Sequence, residues 1–121
     1  GSRNDKSTVN STNKLAVTDK DRTYILPIEE AIYFEAFGNN AIVYTGEKAY
    51  TLSSSLKKIE EKLKGHNFKR ISKSHIVNVD MIVEIIPWFN YKCKLTLKNV
   101  DEELIVTRSY YKEFKETILI N

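Results

Sequence analysis

The segment FKRISKSHIVNVDMI, Phe68 to Ile82, gathers Arg70, Ser72, Lys73, Ser74, His75 and Asn78 into nine positions. Ser74 and His75 are the only hydroxyl–imidazole neighbours in it, and they suit catalysis poorly. Adjacent residues on a strand point to opposite faces, and no third group in the sequence is placed to orient the imidazole. The four glycines lack the spacing of a phosphate-cradling loop. The carboxylate pairs Glu29-Glu30, Glu60-Glu61 and Glu102-Glu103 read as solvated charge in turns or on a helix face. One Cys and two His are too few for an ordinary structural zinc site. No catalytic residue, metal or cofactor is therefore expected.

Binding chemistry fits better. Lys69, Arg70 and Lys73 supply cations, and Ser72, Ser74 and Asn78 supply neutral hydrogen-bonding groups. Phosphates are held by such cations and hydroxyls, and base edges by Arg, Lys or Asn at fixed angles. Asn40, after Gly38-Asn39, and Thr107-Arg108-Ser109 offer the same chemistry elsewhere. These three places make one reading surface only if the fold brings them together. Each also has a plainer role. Arg70 equally fits a tie to backbone carbonyls. Asn78 fits a buried backbone partner. His75, Trp88 and Phe89 fit packing, the last two over a turn. Lys92, Lys94 and Lys98 alternate on one strand face, against phosphate or simply in water.

Charge is uneven. Residues 64–98 carry seven basic groups (Lys64, Lys69, Arg70, Lys73, Lys92, Lys94, Lys98) against Asp80 and Glu84, in a chain of net charge +3. A local basic stretch in a near-neutral protein marks a possible anion footprint. The 121 residues, 41% hydrophobic, suit one globular domain. No apolar run approaches the ~20 residues of a membrane helix. The single Cys93, in alternating KCKLTLK, reads as an inward-facing apolar residue of a protein in a reducing compartment.

The elements that must position these groups are mostly strands. Residues 1–13 read as a cloning remnant and flexible linker, and residues 14–121 as the domain. KLAVTDKDRTYILPI predicts a hairpin turning at Asp19-Lys20-Asp21, AIYFEAF a strand broken by GNN, and AIVYTGEKAYTL a hairpin about Gly46. SSSLKKIEEKLKG changes period: Leu56, Ile59 and Leu63 share a helix face, with a Ser N-cap and Gly65 as stop. IVEIIP and KCKLTLK predict strands joined through WFNY. ELIVTRS predicts another after a turn at NVDE, and SYYKEFKETIL a closing helix with Tyr111, Phe114 and Ile118 on one face. Eight or nine short strands this tightly linked favour antiparallel pairing. A closed barrel or a sandwich would serve as well.

FKRISKSHIVNVDMI, PWFN, LTLKN and VTRSYYKEFKETI, in that order, resemble the LytTR family of bacterial DNA-binding output domains. The family pattern runs Phe-x-Arg-aliphatic-His-Arg/Lys-Ser-x-aliphatic-Val-Asn-Leu, with Ser-Arg-x-Tyr before a C-terminal helix. IYFEAFGNNAIVYT is similar to its upstream strand–turn–strand. The resemblance spans about residues 14–119. It implies an elongated, mostly antiparallel β fold with two short helices, inserting loops into successive major grooves of double-stranded DNA at paired direct repeats. It also implies a cytoplasmic transcription regulator with an upstream receiver domain, a sensor histidine kinase acting on that receiver, and no membrane partner. Lys73, Arg108 and Asn40 fall at the family's base-reading positions, and Ser72, Ser74, Lys69, Arg70 and Ser109 become backbone-contact candidates. Ser72 stands where the family usually has His, His75 where an aromatic is common, and Thr107 where Ser is usual. A protein-interaction module using the basic sheet face or an edge, and a single-strand binder using Tyr and Trp platforms, are the alternatives.

Overall fold

A computed structural model describes residues 13–119. Of the expected linker, only Asn13 lies within it.

Alternating apolar and polar residues set most of the chain into strands. Lys14–Asp19 (β1) and Arg22–Pro27 (β2) form the first hairpin, in unbroken register from Lys14 opposite Pro27 to Asp19 opposite Arg22. A single helical turn at Ile28–Glu30 leads to Tyr33–Phe37 (β3), which turns at Gly38, φ 63°, into Asn40–Tyr44 (β4). Ala49–Leu52 (β5) returns along β4. Helix α1, Leu56–Lys62, starts where the Ser55 hydroxyl accepts a bond from the Lys58 amide, and it buries Leu56, Ile59 and Leu63.

FKRISKSHIVNVDMI divides into Phe68–Ser72 (β6) and His75–Asn78 (β7), with the turn at Lys73-Ser74. Ile82–Trp88 (β8), Lys92–Leu97 (β9) and Val100–Val106 (β10) follow, then helix α2, Arg108–Leu119. The described residues thus hold ten strands. The turn expected at NVDE falls earlier, at Lys98-Asn99, with Asn99 at φ 59°. Glu102 and Glu103 consequently lie in β10 and not in a turn.

All strand pairs are antiparallel. β2-β1-β5-β4-β3-β7-β6 form a seven-stranded sheet and β10-β9-β8 a three-stranded one, and neither closes on itself. The fold is mostly β, as expected. Successive residues of the central strands serve different cores. Phe34 and Ile76 join Leu15, Val43, Leu56 and Ile59 under α1, while Tyr33 and Val77 join Ile71, Leu95, Val106 and Phe114 between the second sheet and α2. Cys93 belongs to this second core, 1% exposed, and burial pushes its thiol pKa up. With both faces covered, the β3–β7 centre is a rigid base for the turns at its end.

Candidate nucleic-acid interface

The three polar places separated in sequence meet at one end of the fold. β3 and β7 run antiparallel with Glu35 opposite His75, so the end of β3 and the start of β7 coincide. The β3–β4 turn, with Asn40 opening β4 just after it, and the Lys73-Ser74 turn therefore emerge at the same end of the sheet, and the Ala36 amide donates to the Ser74 carbonyl at 2.8 Å. From the other side, Thr107 donates its amide to the Ile71 carbonyl at 3.0 Å and its hydroxyl to the same oxygen at 3.4 Å. That anchors the start of α2 beside β6. Ser72, Lys73 and Ser74 face Thr107, Ser109 and Tyr110 across a cleft of about 630 Å3. Lys73, Ser74, Asn40, Arg108 and Ser109 are exposed, and Lys69 is half-buried on β6.

The turn that carries Lys73 is fixed by its neighbours. Arg70 donates from Nε to the Ser72 carbonyl at 2.8 Å and from a terminal nitrogen to the Lys73 carbonyl at 2.7 Å, and pairs with Glu60 of α1 at 2.9 Å. The Ser74 amide donates to Ser72 Oγ at 3.2 Å. Arg70 thus makes the backbone tie that its plainer reading predicts. Asn78 does likewise: Nδ2 donates to the Ala31 carbonyl at 2.8 Å and Oδ1 accepts from the Asp80 amide at 3.0 Å, with the residue 3% exposed.

The hydroxyl that meets the His75 ring belongs to Ser72, not to its neighbour Ser74. The two-residue turn at Lys73-Ser74 sets Ser72 directly opposite His75, and the β6–β7 ladder shifts register only beyond that pair, between Ser72 and Arg70. Their side chains share a face, and Ser72 Oγ lies 3.1 Å from His75 Nδ1. Glu35 does orient the imidazole, at 3.6 Å from Nε2, and itself accepts a bond from the Tyr44 hydroxyl at 2.9 Å. This Ser–His–Glu row resembles a nucleophilic triad in composition only. Ser72 is 8% exposed and its oxygen is already occupied by the Ser74 amide. The row braces the turn. Burial lowers the His75 pKa against the opposing pull of Glu35 and Glu102, favouring the neutral ring that can accept the Ser72 hydroxyl at Nδ1.

Two further features escaped sequence reasoning. Glu35, Glu102 and Glu103 line the same cleft, putting carboxylates beside Lys73, because β10 runs as a strand where a turn was expected. Trp88 and Phe89 do not pack over a turn: Phe89 is 69% exposed, and Trp88 belongs to β8. Arg108 lies over the ring of Tyr91, 5.9 Å from its centroid. Among the described residues no group of three or more His, Cys, Asp or Glu could hold a metal ion, and no helix is long and apolar enough to cross a membrane.

A family model for the LytTr DNA-binding domain matches residues 21–119, nearly the whole described fold. The chain belongs to that family. The LytTr DNA-binding domain of a Bacillus cereus protein described as a methyl-accepting/DNA response regulator superposes with a TM-score of 0.84 at 26% identity, over 91% of this chain and 100% of that one. Transcriptional regulatory protein YpdB of Escherichia coli K12 is 36% identical over 96 residues, 79% of this chain and 39% of YpdB. Sensory transduction protein LytT of Bacillus subtilis is 35% identical over 107 residues, 88% of this chain and 44% of LytT. The chain thus spans about two fifths of the curated relatives it matches. As a LytTr domain it is a DNA-binding module of the kind found in transcription regulators, which points away from enzymatic function.

Proposed function

We propose that the domain binds double-stranded DNA sequence-specifically as the output part of a cytoplasmic bacterial transcriptional response regulator. The receiver domain and the histidine kinase acting on it belong to that proposal, as do paired direct repeats read in successive major grooves. One observation carries it: the turn of Lys73, the turn of Asn40 and the start of α2 at Arg108 converge on one end of the fold. Lys73, Arg108 and Asn40 are the assigned base readers. Ser74, Ser109 and Lys69 are the proposed phosphate contacts. Arg70 and Ser72, whose polar atoms are bonded within the fold, hold the turn that presents Lys73.

Selection of duplexes from a random pool supplies the cognate site. On that site Arg108→Ala should lose about 1–3 kcal/mol, with little change on scrambled duplex. Equal losses on both would make Arg108 a phosphate contact. Affinity should fall with salt at a log–log slope near 0.9 per neutralised phosphate. Preference for single strand over duplex in competition would refute the proposal.

A further inference from the structure

The β8–β9 tip carries three aromatic residues that neither core takes in. Phe89 and Tyr91 are 69% and 67% exposed and Trp88 41%. Asn90 and Tyr91 both hold positive φ, 62° and 54°, a backbone that side-chain-bearing residues adopt at a cost. Large exposed rings on such a backbone mark a surface with a partner.

The cations around the tip indicate which partner. Arg108 Cζ lies 5.9 Å from the Tyr91 centroid, Lys94 Nζ 4.8 Å from that of Trp88, and Lys115 Nζ 5.4 Å from that of Tyr111. Tyr91 and Tyr111 meet edge to face at 6.2 Å, so Arg108, Tyr91, Tyr111 and Lys115 form one continuous row. Lys94 is shared with Glu103 at 3.5 Å. A guanidinium held near a ring face by cation–π attraction spends no N–H group on it, which leaves those groups available, as bidentate contact with a guanine edge requires. An apolar protein partner would have to strip water from these cations, whereas a nucleic acid meets them with its own charge.

We propose that the Trp88–Tyr91 tip is a further DNA-facing element, in which Tyr91 is a positioning residue that holds Arg108 for base reading. This rests on Arg108 being a base reader. Tyr91 limits the rotamers of the Arg108 side chain before DNA arrives. Phe89, exposed two residues before Tyr91 on the same tip, is the ring that this proposal sets against sugar or a thymine methyl group.

The test measures duplex affinity of the 121-residue chain on its selected site and on a scrambled duplex, with melting temperature as the folding control. Tyr91→Ala should weaken cognate binding about two- to fivefold, the span of an exposed cation–π contact, and leave scrambled binding unchanged. Tyr91→Phe should restore it. In an Arg108→Ala background, Tyr91→Ala should do nothing more. Phe89→Glu, at an exposed position whose ring meets that of Trp88 edge to face, should weaken both duplexes by about fivefold through repulsion of phosphate, with the melting temperature unchanged. Equal effects of Tyr91→Ala in both backgrounds, or Phe89→Glu binding as tightly as the parent, overturns the inference. A change in self-association with Phe89→Glu at unaltered duplex affinity also overturns it, assigning the tip to a protein. Arg108→Ala indistinguishable from the parent on both duplexes overturns the base-reading assignment itself.

Discussion

Truncating Arg70 should separate its part in the fold from any part in binding. Arg70→Ala removes the bonds to the Ser72 and Lys73 carbonyls, at 2.8 and 2.7 Å, and the pair with Glu60. The Glu60 pair contributes little, about 0–1 kcal/mol, because that carboxylate is 46% exposed. Each bond from a charged donor is worth about 1.5–3 kcal/mol, but the exposed Lys73 carbonyl regains water when the guanidinium leaves. The net loss should be about 2–3 kcal/mol. At about 4 °C per kcal/mol for a domain of this size, the melting temperature should fall by roughly 8–12 °C.

Thermal and urea unfolding followed by circular dichroism give this quantity directly. Binding supplies the second measurement. A residue that only braces the turn should weaken cognate affinity without altering the salt slope, whereas removing a phosphate contact lowers that slope by about 0.9. A melting temperature within about 1 °C of the parent would refute the clamp. A salt slope reduced by about 0.9 would show that Arg70 reaches phosphate as well.

Asn78→Ala should cost about 2–4 kcal/mol, because it strands the Ala31 carbonyl and the Asp80 amide at a 3% exposed position, and a urea-derived loss below about 1 kcal/mol would contradict that role. The His75 pKa lies below its ordinary 6.5, so between the folded and unfolded values the unfolded chain binds more protons. Stability should therefore be full above about pH 6.5 and fall as pH drops below it, before most carboxylates titrate. Glu35 and Glu102 face the ring and moderate the fall, and His75→Phe should flatten it. An unfolding midpoint that rises on acidification from pH 7 to 5.5 would reverse the sign of this argument.

The hairpins and both helices were legible because side-chain period and turn residues are local. The Leu56, Ile59 and Leu63 face needed only spacing and a Ser cap. The Ser72–His75–Glu35 row was not legible, because it needs both the register of the Lys73-Ser74 hairpin and the pairing of β3 with β7, and alternation along one strand carries no sign of either. Cross-sheet partners such as Glu35, and the rings under Arg108, depend on register between segments far apart in the chain. Nor could the sequence tell that Thr107 bonds to Ile71, the contact that brings the late motif to the early one.

The two principal readers are held in opposite ways, and this divides their work on the proposed function. Lys73 rides on a backbone bonded at the Ser72 and Lys73 carbonyls and at both the amide and carbonyl of Ser74, yet its ammonium sits at the end of a flexible four-carbon stem. A point charge on a free stem attracts any acceptor within reach, phosphate or base. Arg108 sits on the first turn of α2, and its planar head lies over Tyr91, 5.9 Å from the ring centroid. A fork of donors with a preset plane distinguishes a guanine edge from other acceptors. Discrimination between sequences should therefore be sharpest at Arg108 and weaker at Lys73. Measured over all single-base variants of the selected site, Arg108→Ala should erase a strong preference at one position, whereas Lys73→Ala should erase only a mild preference at its own position while also lowering affinity generally. The reverse pattern would mean that turn rigidity, rather than the head group, decides which residue reads.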